Sequence, residues 1–272
     1  MLAPAAIVVA IGIVIPVVIL FRYSLNHFTP AKMMVSAVTA ENYVQFFTDP
    51  FYVAILVRTI RVAAVCTAIC VVLGFPMAYV LARTRSRYKN LMLLIVILPL
   101  FVGNAVRAAG WMVLFGNRGF VNSIAMGLGL VREPLQIMYT EFAVVVGIVA
   151  VNLPFVVLTL QASLEAIERP VEEAALGLGA GPLRAFRHVI LPLAMPGVVA
   201  ATILSFILAM NAYATPVLLG GPTFHMMGPT VYDQFAGLTN WPFGAALAFV
   251  LMAATLILTG TSNWVVHRRF RP

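Results

Sequence analysis

The chain has 272 residues, 62% of them hydrophobic and only 10% charged, with a formal net charge of +8. A soluble domain is nearer half apolar and about a quarter charged, so a soluble enzyme is excluded; nucleic-acid binding is excluded too, because the cations flank hydrophobic runs instead of sharing one amphipathic face. What is left is a membrane protein.

A bilayer core about 30 Å thick takes about 20 apolar residues as helix, because each backbone amide must find its partner inside the segment. Six stretches qualify: 2–21, 54–82, 91–115, 142–162, 197–219 and 243–266. The first lacks a basic start and a small-residue cleavage site and is too long for the apolar region of a signal peptide, so it is expected to remain in the mature chain. The second contains Cys66 and Cys70, four apart, a spacing that suits packing on a neighbouring helix and supplies neither a disulfide framework nor a metal set. That span ends on RTRSRYKN. Its Arg83, Arg85, Arg87 and Lys89, with Arg169, Arg184 and Arg187 after the fourth span and Arg268, Arg269 and Arg271 in the tail, put ten cations on one side, against six at most on the other. Short loops rich in Lys and Arg stay in the cytoplasm, which places both termini there and segments 24–53, 116–140 and 220–242 outside.

Polar residues interrupt the later spans. FVGNAVRAAGW in the third carries Asn104, Arg107 and Trp111, AVNLPF in the fourth carries Asn152, and MNAYATP in the fifth carries Asn211, Tyr213 and Thr215. Polar groups are costly in hydrocarbon and turn toward a bundle interior, where they either border a substrate passage or hold helices together by hydrogen bonds. Both readings fit the asparagines. Arg107 has three: an ion pair with Glu141, an ion pair with Asp233, or a seat for an anionic group of the substrate. Pro16, Pro76, Pro99, Pro154 and Pro216 each free a backbone carbonyl that a neighbour or water must satisfy, more often for packing than for gating. In TFHMMGP, His225, Met226 and Met227 are too thin a set for a soft metal, so that loop is read as packed. No arrangement of nucleophile and base, paired carboxylates or metal ligands stands out as catalytic.

Between the fourth and fifth spans lies VEEAALGLGAGPLRAFRHVILPLAMP, residues 171–196. Glu172 and Glu173 complement the positive end of a helix dipole and start a short helix through Ala174 and Ala175. Gly177, Gly179 and Gly181 supply a turn, Pro182 suits the first turn of a second helix over 183–190, and Pro192 and Pro196 are expected to break that helix before the membrane. The alanines make a poor lipid-facing stripe and the acids would meet an anionic leaflet, so this knob fits a groove on another protein better than a membrane surface.

The loop resembles the cytoplasmic signature of permease subunits of type I ATP-binding-cassette importers: Glu-Ala-Ala, three residues, Gly, nine residues, Ile, one residue, Leu-Pro. Glu173, Ala174, Ala175, Gly179, Leu191 and Pro192 match in register, and Val189 stands where that pattern has Ile. ENYVQFF, GFPMAYVLARTRSR, TPVLLGGP and NWPFGAALAFVL are similar to the polyamine (spermidine and putrescine) branch, so the likeness runs from Glu41 onward. The resemblance implies an all-α membrane protein of six transmembrane helices with the type I importer permease fold. It further implies one permease domain over 1–272, with 1–23 as first span, 54–266 as core spans and 163–193 as the cytoplasmic coupling loop. Glu172, Glu173, Ala174, Ala175, Gly177, Gly179, Leu191 and Pro192 would then couple to an ATPase. Asn104, Arg107, Trp111, Asn152, Asn211, Tyr213 and Thr215 would line the pathway.

By the same resemblance the partners are two cytosolic ATPases that bind the ATP and Mg, a second and different permease, and a periplasmic or lipid-anchored substrate-binding protein, all at a bacterial inner membrane. No G-x-x-x-x-G-K-[ST] loop occurs, so this chain does not cradle a nucleotide in that way and is a transport subunit and not the hydrolase. The spans hold no acid to meet a polyamine, which keeps amino acid derivatives, opines and organic or inorganic anions open as cargo. An ion-driven secondary transporter would want inverted repeats or a charged relay within the membrane, and neither is evident.

Overall fold

The computed structural model describes the backbone of residues 3–269 and the side chains of 9–262 and Trp264. Over these residues the chain is helical: α1 (Ala3–Ser24), α2 (Glu41–Thr48), α3 (Pro50–Arg83), α4 (Lys89–Ile97), α5 (Asn104–Phe115), α6 (Phe120–Gly127), α7 (Glu141–Glu165), α8 (Arg169–Gly177), α9 (Pro182–Ala185), α10 (Leu191–Met210), α11 (Ala214–Gly220), α12 (Met227–Tyr232) and α13 (Trp241–Arg269). Four helical runs are long and apolar enough to cross a membrane: α3, α7, Pro182–Met210 and Trp241–Ser262. Lys89–Phe101 with Asn104–Gly127 make a fifth, bent by 98°, and α1, 22 residues long, is apolar over its described side chains, Val9–Ser24. Leu2 and Arg271 lie outside the described residues, as do the side chains of Val266, Arg268 and Arg269.

Two expected spans take a different form. The stretch 91–115 is not one helix: α4 tightens into a 3-10 turn at Leu98–Phe101, Val102 is extended at ψ 124°, and α5 starts anew after Gly103 at ψ 145°. Pro99 lacks the amide needed to continue the helix, and the break follows it. The stretch 197–219 is likewise interrupted, at Asn211–Tyr213, where Pro216 in α11 has no amide to donate back to the Ala212 carbonyl in the break. Pro192 and Pro196, in contrast, break nothing. Helix runs through both, and the turn before Pro192 widens into a π-turn at Phe186–Ile190, where the Leu191 amide reaches back to the Phe186 carbonyl. That wider turn contains the His188 carbonyl, which Pro192 leaves without a helical donor.

The helices gather into two compact units, Met1–Thr59 with His225–Leu258, and Ile60–Phe224 with Thr259–Pro272. In the first, the Asn42 amide donates to the Ser24 and Asn26 carbonyls, both at 2.8 Å, which fastens α2 to the end of α1. Phe46, Met226, Met227 and Phe243 are buried there, and the Met227 amide donates to Thr59 Oγ1 at 2.9 Å. The methionines of TFHMMGP are therefore core, as their softness and flexibility suit.

In the second unit α7 is the central helix, buried on several sides at Val144, Ile148, Asn152, Val156, Leu160 and Leu164. Cys66 and Cys70 of α3 lie against it, their thiols 3.8 Å and 3.7 Å from the carbonyls of Val145 and Val149. Small residues let the backbones close: a Cβ on Gly74 would meet Val156 Cγ1 at 2.9 Å, and one on Gly197 would overlap Ser163. This is how apolar helices associate where the solvent is itself apolar.

Candidate functional site

The segment between α7 and α10 is built as two short helices around a turn. Pro170 opens α8, Glu172 sits in its first turn, and Gly179 takes the left-handed conformation at φ +83° that ends it. That φ favours glycine over any residue with a Cβ. Pro182 then opens α9, and Ala185 and Ile190 bury the inner face of the continuing helix.

Four contacts hold this knob to the end of α3. The Tyr79 hydroxyl donates to Glu172 Oε1 at 2.5 Å, and Arg83 Nε pairs with Glu172 Oε2 at 3.0 Å, the two charged side chains being 15% and 21% exposed. Arg83 Nη1 donates to the Ile167 carbonyl at 3.0 Å, and Arg169 Nη2 returns to the Arg83 carbonyl at 3.1 Å. The Phe186 ring meets Phe75 and Tyr79 edge-on, with centroids 5.5 Å and 5.8 Å apart. A second tie, Lys89 Nζ to Glu165 Oε1 at 2.7 Å, joins the start of α4 to the end of α7. Of the two, the sheltered Arg83–Glu172 pair is worth more than a surface one, and removing one partner strands the other.

The two adjacent glutamates therefore differ in kind. Glu172 turns inward and is clasped, whereas Glu173 and Ala174 face outward. Around them Gly177 and Gly179 are exposed, with Leu178 at 90% and Leu183 at 79%. Large apolar side chains around an acid on an ordered turn are the marks of an interaction surface. Ala175 and Leu191 are half-buried, and Pro192 is exposed within the helix. Tyr79 and Arg83, the residues that clasp Glu172, lie within GFPMAYVLARTRSR and read in sequence as a span end and a topology cation. Their spacing of four, which puts both on one helix face, is the signal that points to them.

The polar residues of the spans divide between core and surface. The Asn152 amide, buried, donates to the Ser205 carbonyl at 3.2 Å, joining α7 to α10. Thr215, also buried, packs on Gly147, where an added Cβ would lie 2.5 Å from Thr215 Cγ2. Trp111 lies 5.0 Å from Phe115, and α5, α7 and α11 pack together. Asn104, Asn211 and Tyr213 are exposed, Asn211 donating to the Ile207 carbonyl at 2.9 Å.

Arg107 pairs with neither acid proposed for it. Its Nη2 donates to the Pro99 and Val102 carbonyls at 2.7 Å and 2.8 Å, so it takes up acceptors that the break before α5 leaves open. Glu141 is engaged instead by Arg61. Arg107 Nε and Nη1 are buried with no hydrogen-bond partner among the described residues.

Residues 70–271 match the family described as binding-protein-dependent transport system inner membrane component. The chain is 33% identical over 235 residues to the spermidine/putrescine transport system permease protein PotB of Haemophilus influenzae, covering 85% of this chain and 82% of that protein. It is 38% identical over 164 residues to the molybdenum transport system permease protein ModB of Azotobacter vinelandii, covering 60% of this chain and 70% of that one. The fold matches a bacterial ABC transporter involved in the import of the acidic polysaccharide alginate, with TM-score 0.78 and 17% identity over 100% of this chain and 95% of the other. A bacterial alginate ABC transporter in complex with alginate pentasaccharide-bound periplasmic protein gives 0.76. The chain belongs to the binding-protein-dependent transport system inner membrane components, the multi-pass permease subunits of ABC importers.

Proposed function

We propose that this permease imports a polyamine such as spermidine or putrescine, crossing the inner membrane six times with both termini in the cytoplasm. The observation that carries the substrate class is identity of 33% over 85% of the chain to a permease of that system. In the assembly the 163–193 segment docks in a groove on a cytosolic ATPase through Glu173, Ala174 and the leucines beside them. ATP and Mg are bound by two such ATPases, a different second permease completes the pathway, and a periplasmic or lipid-anchored protein delivers the cargo. Nucleotide-driven closure of the ATPases displaces the knob, and the clasp at Glu172 passes that displacement to α3.

A second reading, an oxyanion as cargo, is favoured by Arg107 with its two unpartnered nitrogens and by the likeness to a molybdenum permease. Uptake by the assembled transporter in proteoliposomes separates the two. With ATP at the ATPase face and the binding protein at the other, radiolabelled spermidine is expected to accumulate and unlabelled putrescine to compete, with no effect of molybdate. Uptake of molybdate in place of spermidine would reverse the assignment. Accumulation driven by an ion gradient without ATP would remove the coupling scheme altogether.

A further inference from the structure

α3 and α4 leave a groove of about 440 Å³ between them, lined beside Pro76 by Met77, Val80, Leu81, Met92, Ile95 and Val96. That volume is in the range of small-molecule sites, about 300–1,000 Å³. Every lining residue is apolar, and α4 has no buried residue at all, so its inner side stands open toward α3. The groove reaches Leu81 and Met92, each within about one helical turn of the 84–88 connection that joins the two helices.

That connection is basic, and its cations are of two kinds. Arg83 and Lys89 at its ends are committed to Glu172 and Glu165. Arg85 and Arg87 between them are exposed and have no carboxylate partner among the described residues. Arg87 is braced over Tyr88, its guanidinium carbon 4.8 Å from the ring centroid and Nη2 donating to the hydroxyl at 2.6 Å. A guanidinium fork suits phosphate, and an arginine stacked on an aromatic ring is pre-ordered for it.

We propose that the groove holds an acyl chain of an anionic phospholipid whose phosphate sits on Arg85 and Arg87. The acyl chain gains little from the groove, since the bilayer around it is equally apolar, so selection between lipids falls to the head group. The site thus discriminates by charge and is shaped by the α3–α4 cleft, and a lipid bound there fills the space beside a helix that buries none of its own residues.

The test uses the full transporter in proteoliposomes with phosphatidylglycerol or phosphatidylcholine carrying a diazirine in the acyl chain, and maps photolabelled peptides by mass spectrometry. Labelling of 76–81 and 92–96 is expected from phosphatidylglycerol in clear excess over phosphatidylcholine. Each of R85Q and R87Q is expected to lower that excess about fivefold, equivalent to roughly 1 kcal/mol per cation. Met92→Trp, which fills the groove and leaves both arginines, is expected to abolish labelling of 76–81. Equal labelling of the unaltered protein by the two lipids would overturn the proposal whatever the variants do, and so would crosslinks from these segments to another protein chain in place of lipid.

Discussion

Glu173→Lys is expected to reduce ATP-driven uptake to background while the protein still reaches the membrane in normal amount. Glu173 is exposed, so the substitution disturbs nothing inside the chain, and surface changes of that kind stay within about 0.5 kcal/mol of neutral. At an interface with a basic groove, reversing a buried charge costs several kcal/mol, enough to empty the contact. Arg83→Met acts from the other side of the same helix. It leaves Glu172 with Tyr79 alone and takes away the bond to the Ile167 carbonyl, at a cost of about 2–4 kcal/mol. Uptake is expected to fall at least about tenfold, since a loose knob no longer moves as one body with α3, and trypsin is expected to cut faster at the exposed Arg184 and Arg187. Glu173→Lys should leave that cleavage rate unchanged. The double exchange Arg83→Glu with Glu172→Arg is expected to restore part of the uptake and most of the protection. Normal uptake by Glu173→Lys defeats the docking assignment; normal uptake and protection in Arg83→Met defeat the clasp.

The difference between those neighbouring glutamates marks where sequence reasoning ends. The apolar runs are legible because a bilayer imposes a length on them, and the helix, glycine turn and second helix of the 163–193 segment are legible because Glu, Gly and Pro each have a positional preference there. Which acid faces inward is set by Tyr79 and Arg83, some 90 residues away in sequence and brought near by tertiary packing. In sequence Arg107 is open to Glu141, to Asp233 or to an anionic group of the substrate. Its acceptors are main-chain carbonyls at a break, and backbone acceptors carry no sequence signature. Pro192 and Pro196 read as stops because helix propensity treats each residue alone, whereas helix continues through both and the turn before Pro192 widens into a π-turn at Phe186–Ile190. The methionines of TFHMMGP needed no such context: two apolar residues with too few metal-binding neighbours are core by elimination.

Gly147→Val is expected to lower uptake about tenfold or more through the membrane end of the mechanism, leaving the knob intact. A Cβ at Gly147 would lie 2.5 Å from Thr215 Cγ2 and 2.6 Å from Leu219 Cδ1. Neither can yield, because Thr215 and Leu219 are buried and the Leu219 carbonyl is held by the Tyr139 amide at 2.9 Å. Overpacking of this sort costs about 1–3 kcal/mol, and each 1.4 kcal/mol is tenfold in a population. The strain is relieved by moving α11 off α7. Asn211 and Tyr213 stand just before α11 and α5 packs on it, so the displacement reaches together the polar residues proposed to line the pathway. Tryptic cleavage at Arg184 and Arg187 is expected to stay at its original rate, since the clasp lies beyond the opposite end of α7. Loss of uptake with the knob protected would separate the pathway from the lever that drives it. Undiminished uptake in Gly147→Val would mean that α11 can shift without consequence, and that Asn211, Tyr213 and Thr215 do not border the route of the cargo.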